Sequence, residues 1–170
     1  MKIKGYIGLG IAMVPFVFMG CGLPHSSDAH GVDHTDTTDH GHELDAYGGP
    51  VDPVVSNTLA GLTARGAAVY KRVCIHCHQE NGEGIREAYP PLASSDFLMA
   101  DRKRPIEILL KCLKGEITVN GNIFNSEMPA VTGSDLSIAA VLTYVRNQFN
   151  GASDSIGVSE VRSARNGLGL

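Results

Sequence analysis

Five consecutive residues, Cys74-Ile75-His76-Cys77-His78, carry the strongest chemical signal in this 170-residue chain. Two thiols three residues apart, with an imidazole directly after the second, form the C-x-x-C-H attachment site of a c-type haem. The spacing suits the chemistry. Cys74 and Cys77 can add across the two vinyl groups of one porphyrin as thioethers, and His78 is then placed under the iron as an axial ligand. Its other ring nitrogen needs an acceptor to fix the tautomer. Rival readings lack their partners. A zinc site needs a second Cys or His pair downstream, and a thioredoxin-like pair needs βαβ surroundings; the folded part of the chain offers neither.

A second axial ligand must come from farther along. Loss of an export signal would remove Met1, Met13 and Met19, leaving Met99 and Met128. Met99 sits in the apolar run Phe97-Leu98-Met99 and reads as core packing. Met128 sits in Asn125-Ser126-Glu127-Met128-Pro129, a polar loop with no apolar period to explain it. Pro129 stiffens the chain just after it. Met128 is therefore the expected ligand. His76, between the two thiols, is expected to point outward. With His78 and Met128 both on the iron no substrate reaches it, and a thioether raises its potential. That combination suits a one-electron carrier and not an enzyme.

The elements that must position these groups are helical. A first helix is expected from about Leu59 to Val73, with Gly66 and Tyr70 on one face. A last helix is expected from Ser134 or Asp135 to the stop signal Asn150-Gly151. Val141 and Tyr144 share a face of it and are expected to meet Gly66 and Tyr70. Between them lies a helix from about Pro105 to Leu113, with Gly115 as its C-cap. Glu116–Val119 and Asn122–Phe124 flank Asn120-Gly121, a hairpin signal. A short helix is expected near Ser159–Arg165. Cys112, beside Leu109, Leu110 and Leu113, reads as a small buried hydrophobe in the Pro105–Leu113 helix.

From about residue 59 to 150 the chain resembles a mono-haem c-type cytochrome domain of the small all-α kind. The marks are Cys74–His78, Tyr89-Pro-Pro-Leu-Ala93, Gly115-Glu-Ile-Thr-Val-Asn-Gly121, Met128-Pro129 and the Ala139–Arg146 stretch with Tyr144. The resemblance implies an all-α cytochrome c fold in which the first and last helices cross, haem fills the core and one short hairpin is present. It also implies that a proline carbonyl, of Pro90 or Pro91, accepts the His78 Nδ1–H. The segments around Pro90, Val119 and Met128 are similar to cytochrome domains that accompany copper nitrite reductases or periplasmic dehydrogenases.

The remainder reads as an address and a spacer. Residues 1–21 have an early positive region at Lys2 and Lys4, an apolar run from Ile7 to Met19, then Gly20-Cys21. These are parts of an export signal. A Cys after a small residue resembles a bacterial lipobox, making Cys21 the expected lipidation site, although Phe18 and Met19 depart from that pattern. An uncleaved anchor and plain cleavage are the alternatives. Residues 22–55 form an acidic, His-rich linker, in which apolar residues show no period and cannot bury a core. Its five His among seven acids could bind metal weakly, but they follow no strict ligand spacing and read as a solvated spacer. Residues 56–150 are the cytochrome domain and 151–170 a C-terminal extension.

The net charge is −4, and from Arg65 onward 12 basic residues face 11 acidic ones. Such a balance offers no surface for nucleic acid. A local cluster of Arg102, Lys103, Arg104, Lys111 and Lys114 reads either as a solvated helix end or as a docking patch for an acidic redox partner. The functional expectation is a membrane-tethered carrier on the exported, periplasmic side, exchanging electrons with respiratory enzymes as donor and acceptor. One alternative is a dedicated cytochrome subunit of a dehydrogenase or nitrite reductase complex. Another, of a different class, is a haem enzyme or gas sensor with an open iron, which requires Met128 to be off the metal.

Overall fold

A computed structural model of the chain describes residues 57–170. The export segment with Cys21 and the linker 22–55 lie outside the described residues. Helix α1 spans Leu59–Val69 and is capped by Thr58, whose hydroxyl accepts from the Gly61 N–H. The helical path does not end at Val73. It widens into a π turn over Tyr70–Cys74 and continues as α2, Ile75–His78. The widening is visible in one bond, from the Ile75 N–H to the Tyr70 carbonyl five residues back. Insertions of this kind concentrate at functional sites, and this one carries the attachment thiols on a continuous helical run.

Two short helices follow, α3 (Asp96–Met99) and α4 (Lys103–Lys111). Strands β1 (Ile117–Val119) and β2 (Asn122–Phe124) pair antiparallel, with Val119 opposite Asn122. Asn120 and Gly121 supply the positive φ angles, 50° and 77°, that the two-residue turn requires. Helix α5 runs Asp135–Asn150, from a Ser134 cap to Gly151 in the left-handed region. Helix α6 runs Val158–Leu168. The result is mostly helical with one small hairpin, and among the described residues no helix is long and apolar enough to cross a membrane.

The core is organised by the crossing of α1 and α5. A side chain at Gly66 would strike the Ala140 carbonyl and come within 2.5 Å of the Tyr144 Cβ. Hydrogen there lets two backbones touch. The partner across the crossing is thus Ala140, with Tyr144, and not the expected Val141, which faces a cavity on the other side of α5. The reason is angular: residues one apart on a helix point about 100° apart. Tyr70, Tyr144 and Phe149 close the crossing as an aromatic trio with ring centroids 5.2–5.5 Å apart.

Helix α4 also departs from expectation. It ends at Lys111, and Cys112, with φ of 77°, turns the chain out of the helix where Gly115 had been the expected cap. Cys112 is only half-buried and lies outside the helix. The cause is downstream pairing. The Leu113 N–H donates to the Met128 carbonyl at 2.9 Å and the Met128 N–H returns the bond at 3.0 Å, so the chain must already be extended at Leu113.

The C-terminal extension joins the same core through Ile156, Val161 and Ala164. Buried Arg146 of α5 holds it, donating to both Asp154 oxygens at 2.9 and 2.7 Å. Arg102 spans Asp154 and Glu160 at 2.7 and 2.8 Å. The remaining cations of the basic cluster are also occupied. Lys103 and Lys111 flank Glu107, Lys114 meets Glu127, and Arg104 lies 3.9 Å above the Phe97 ring. The cluster is therefore largely neutralised by its own neighbours, which favours the solvated-helix reading over a docking patch.

Two stability predictions follow from these contacts. Gly66→Ala gains up to ~1 kcal/mol of helix propensity but overpacks two backbones, for a net loss of about 1–3 kcal/mol in chemical denaturation. Arg146 holds the Asp154 carboxyl, and Arg102 that of Glu160, below their ordinary values. A depressed carboxyl stabilises above its unfolded value and loses that stabilisation as pH falls through the folded one. Asp154→Asn should cost about 1–2 kcal/mol at pH 7, discounted for partial exposure. Its loss of melting temperature between pH 5 and pH 2.5 should be smaller than that of the parent.

Candidate haem site

His78 ends α2 and is buried at 6% exposure. Its Nδ1 lies 3.0 Å from the Pro90 carbonyl. A carbonyl can only accept, so Nδ1 carries the proton and Nε2 keeps a free lone pair for a metal. Burial holds the imidazole below its ordinary pKa, toward the neutral form a ligand needs, while the Pro90 bond pulls the other way. Of the two prolines expected as acceptor, Pro90 makes this bond and Pro91 lines the cavity wall.

The loop that delivers Pro90 is tightly held. Gln79, directly after His78, sits at φ 63° and ψ 170°, a region nearly reserved for glycine. The buried Tyr70 hydroxyl donates to the Gln79 carbonyl at 2.6 Å and pins that residue. The Tyr70 hydroxyl is itself pushed toward its neutral form by burial. Gly84 donates to the His78 carbonyl at 3.0 Å, and a Cβ there would lie 2.7 Å from the Pro90 carbonyl carbon and oxygen. Asn150, at the end of α5, accepts from the Ser95 N–H and donates to the Leu92 carbonyl, both at 2.9 Å.

The groups picked out in the sequence converge on two adjoining cavities. The larger is bounded by Cys74, His78, Pro90, Pro91 and Met128. Its wall is otherwise apolar, with Leu98, Pro105, Leu109, Val141, Leu142 and Val145. The smaller is lined by Cys77, His78, Phe124, Met128 and Pro129. His78, Pro90, Leu113, Ile117 and Met128 belong to both. Each thiol thus borders one cavity, while the imidazole and the Met128 side chain border both. Burial pushes the Cys74 thiol up to about 12. His76 is exposed, and Met99 packs against the core beside Arg146.

A flat, largely apolar macrocycle with two vinyl-derived attachment points fits this arrangement. Apolar walls accept its faces, and the paired thiols stand at its edge. Three supporting residues were not singled out in the sequence. Gly84 lies in Asn81-Gly-Glu-Gly84, where a second glycine in a tight loop was an available signal. Leu113 acts through its backbone, and Ser126 donates from its hydroxyl to the Ala88 carbonyl at 2.6 Å. Neither of these has a sequence signature. Among the described residues no cluster of three His, Cys, Asp or Glu side chains offers a separate metal site.

Comparison with known proteins agrees with the geometry. The family model for cytochrome c matches residues 63–149. Two cytochromes c-552 of Thermus thermophilus are each 38% identical to the chain, over 99 and 94 residues. These matches cover 55% and 52% of this chain, and 66% and 71% of the relatives. The cytochrome subunit of a fructose dehydrogenase from Gluconobacter japonicus is 28% identical over 118 residues, 66% of this chain but only 24% of that subunit. The chain belongs to the cytochrome c family, all-α electron-transfer proteins that hold haem c covalently, here through Cys74 and Cys77.

Proposed function

We propose that this chain is a membrane-tethered one-electron carrier on the exported side, with His78 and Met128 as the axial ligands of its haem c. The observation that carries the ligand assignment is the place of Met128. It is half-buried on the wall that both cavities share with His78, within a loop whose residues 125–127 are exposed. Haem c bound there supplies a single-electron couple. The chain's part is to fill both axial positions, keep substrates off the metal and hold the geometry through the exchange. Pro90 fixes the His78 tautomer, and the thioether of Met128 favours the reduced state. The apolar wall from Leu98 to Val145 keeps water away.

The exported location rests on the signal in residues 1–21, and the tether on Cys21 as a lipidated N-terminus. An uncleaved anchor and plain cleavage to a soluble protein are the alternatives. The linker 22–55 then serves as a spacer between membrane and domain. Donor and acceptor are redox proteins of the same compartment. A second reading, a dedicated subunit of a dehydrogenase or nitrite reductase complex, draws support from the likeness to the fructose dehydrogenase cytochrome subunit. A permanent partner would co-purify in fixed stoichiometry, and a shuttle would not.

Optical spectra of the holoprotein test the ligand assignment. The ferrous spectrum should be unmoved by carbon monoxide, and the ferric form should show a Met–iron charge-transfer band. Met128→Ala should lose that band and bind carbon monoxide fully. A parent protein that binds the gas at once would shift the reading to an enzyme or sensor. For the tether, Cys21→Ser should move the protein from the membrane to the soluble periplasmic fraction. Retention in the membrane would replace the lipid with an uncleaved helix.

A further inference from the structure

Two loops bring the ligand pair together, and they come from different parts of the chain. One is the Ile85–Tyr89 turn leading to Pro90. It is rigid: Ile85 and Tyr89 exchange backbone bonds at 2.9 and 2.8 Å, and the Ala88 N–H donates to the Ile85 carbonyl at 3.0 Å. The other is the Asn125–Pro129 loop carrying Met128. On one side it is tied to Leu113 by the two-bond backbone bridge, and Lys114 meets Glu127 at 3.0 Å. On the other side the Ser126 hydroxyl crosses 38 residues of sequence to donate to the Ala88 carbonyl at 2.6 Å. Ser126, Glu127 and Met128 line the smaller cavity together with Tyr89 and Pro90, and this bond joins the two loops that contribute them.

We propose that Ser126 is a positioning residue, a clasp that fastens the Met128 loop to the Pro90 loop and slows departure of the Met128 thioether from the iron. This rests on the assignment of His78 and Met128 as axial ligands. Ser126 is exposed, so water can satisfy its hydroxyl whenever the clasp opens, and the bond is worth no more than one exposed hydrogen bond. Its effect is local. Met128 can swing away only if its loop moves, and the Leu113 bridge lets that loop pivot on one edge while Ser126 holds the other. Losing one such bond should raise the open fraction about three- to tenfold.

The test uses the ferric holoprotein with cyanide as entering ligand, at concentrations where the rate saturates and reports loop opening. Ser126→Ala should bind cyanide about three- to tenfold faster, and its alkaline loss of the Met–iron band should fall by about 0.5–1 pH unit. Ser126→Thr, which keeps the hydroxyl, should restore both values. The denaturation midpoint, read by circular dichroism, should fall in Ser126→Ala by no more than the same single-bond loss and should recover in Ser126→Thr. An unchanged rate in Ser126→Ala overturns the clasp. So does a Thr variant as fast as the Ala variant, or a loss of global stability larger than the change in rate accounts for. A parent protein with no Met–iron band and immediate cyanide binding overturns the ligand assignment itself, and the clasp with it.

Discussion

The apolar cavity beside α5 is the constraint on which the rest of the domain depends. A chain with no Trp and 6% aromatic residues has little side-chain volume with which to close a core. Here the core is closed around a cofactor, and each element is placed by its relation to it. Helix α5 divides its two faces accordingly. Ala140 and Tyr144 meet Gly66 across the helix crossing, while Val141, Leu142 and Val145 line the cavity. Helix α4 supplies the opposite wall with Pro105, Ile108 and Leu109. The π turn continues α1 straight into the attachment motif, so the helix that packs on α5 also carries both thiols and His78.

Much of this was legible in the sequence because it depends on local chemistry. Cys74–His78 needs only its own spacing to be read. Ser134, Asn150 and Gly151 mark the ends of α5, and Asn120-Gly121 fixes the hairpin, since few other residue pairs accept two positive φ angles in succession. The misread features were set by distant partners. Gly115 is a good local cap for α4, yet the helix stops three residues earlier because Leu113 is committed to Met128. Val141 and Ala140 are equally plausible neighbours for Gly66 until the rotation of α5 is known. A helix in residues 151–170 could be anticipated from local pattern, but its burial could not. That burial rests on Arg102 and Arg146 finding Asp154 and Glu160 from 8 to 58 residues away.

The same ion pairs bear on how the domain meets other proteins. Isolated charges near a redox site steer encounters over a Debye length, whereas paired charges leave only short-range fields. Four of the five cations of α4 and its flanks, all but Arg104, are paired with Glu107, Glu127, Asp154 and Glu160, and the overall balance beyond Arg65 is near neutral. Strong single-sign steering is therefore not built into that face. For the tethered carrier proposed above this would be a coherent arrangement, because a tether raises the local concentration of membrane partners without any long-range field.

On the proposed ligation by His78 and Met128, the two sides of the iron site differ in how firmly they are held. His78 belongs to a helical run locked against α5, with its next residue pinned by Tyr70 and its Nδ1 fixed by Pro90. Gly84, with no side chain, lets the Pro90 carbonyl sit close against the loop on that side. Met128 has only a loop, anchored through backbone bonds to Leu113 and through side chains at its neighbours. With both proposed ligands bound, electron exchange would need little rearrangement at either. If the site ever opens, the opening belongs to the Met128 side, because releasing His78 requires disrupting the helix crossing itself, whereas releasing Met128 requires only that a short loop give way.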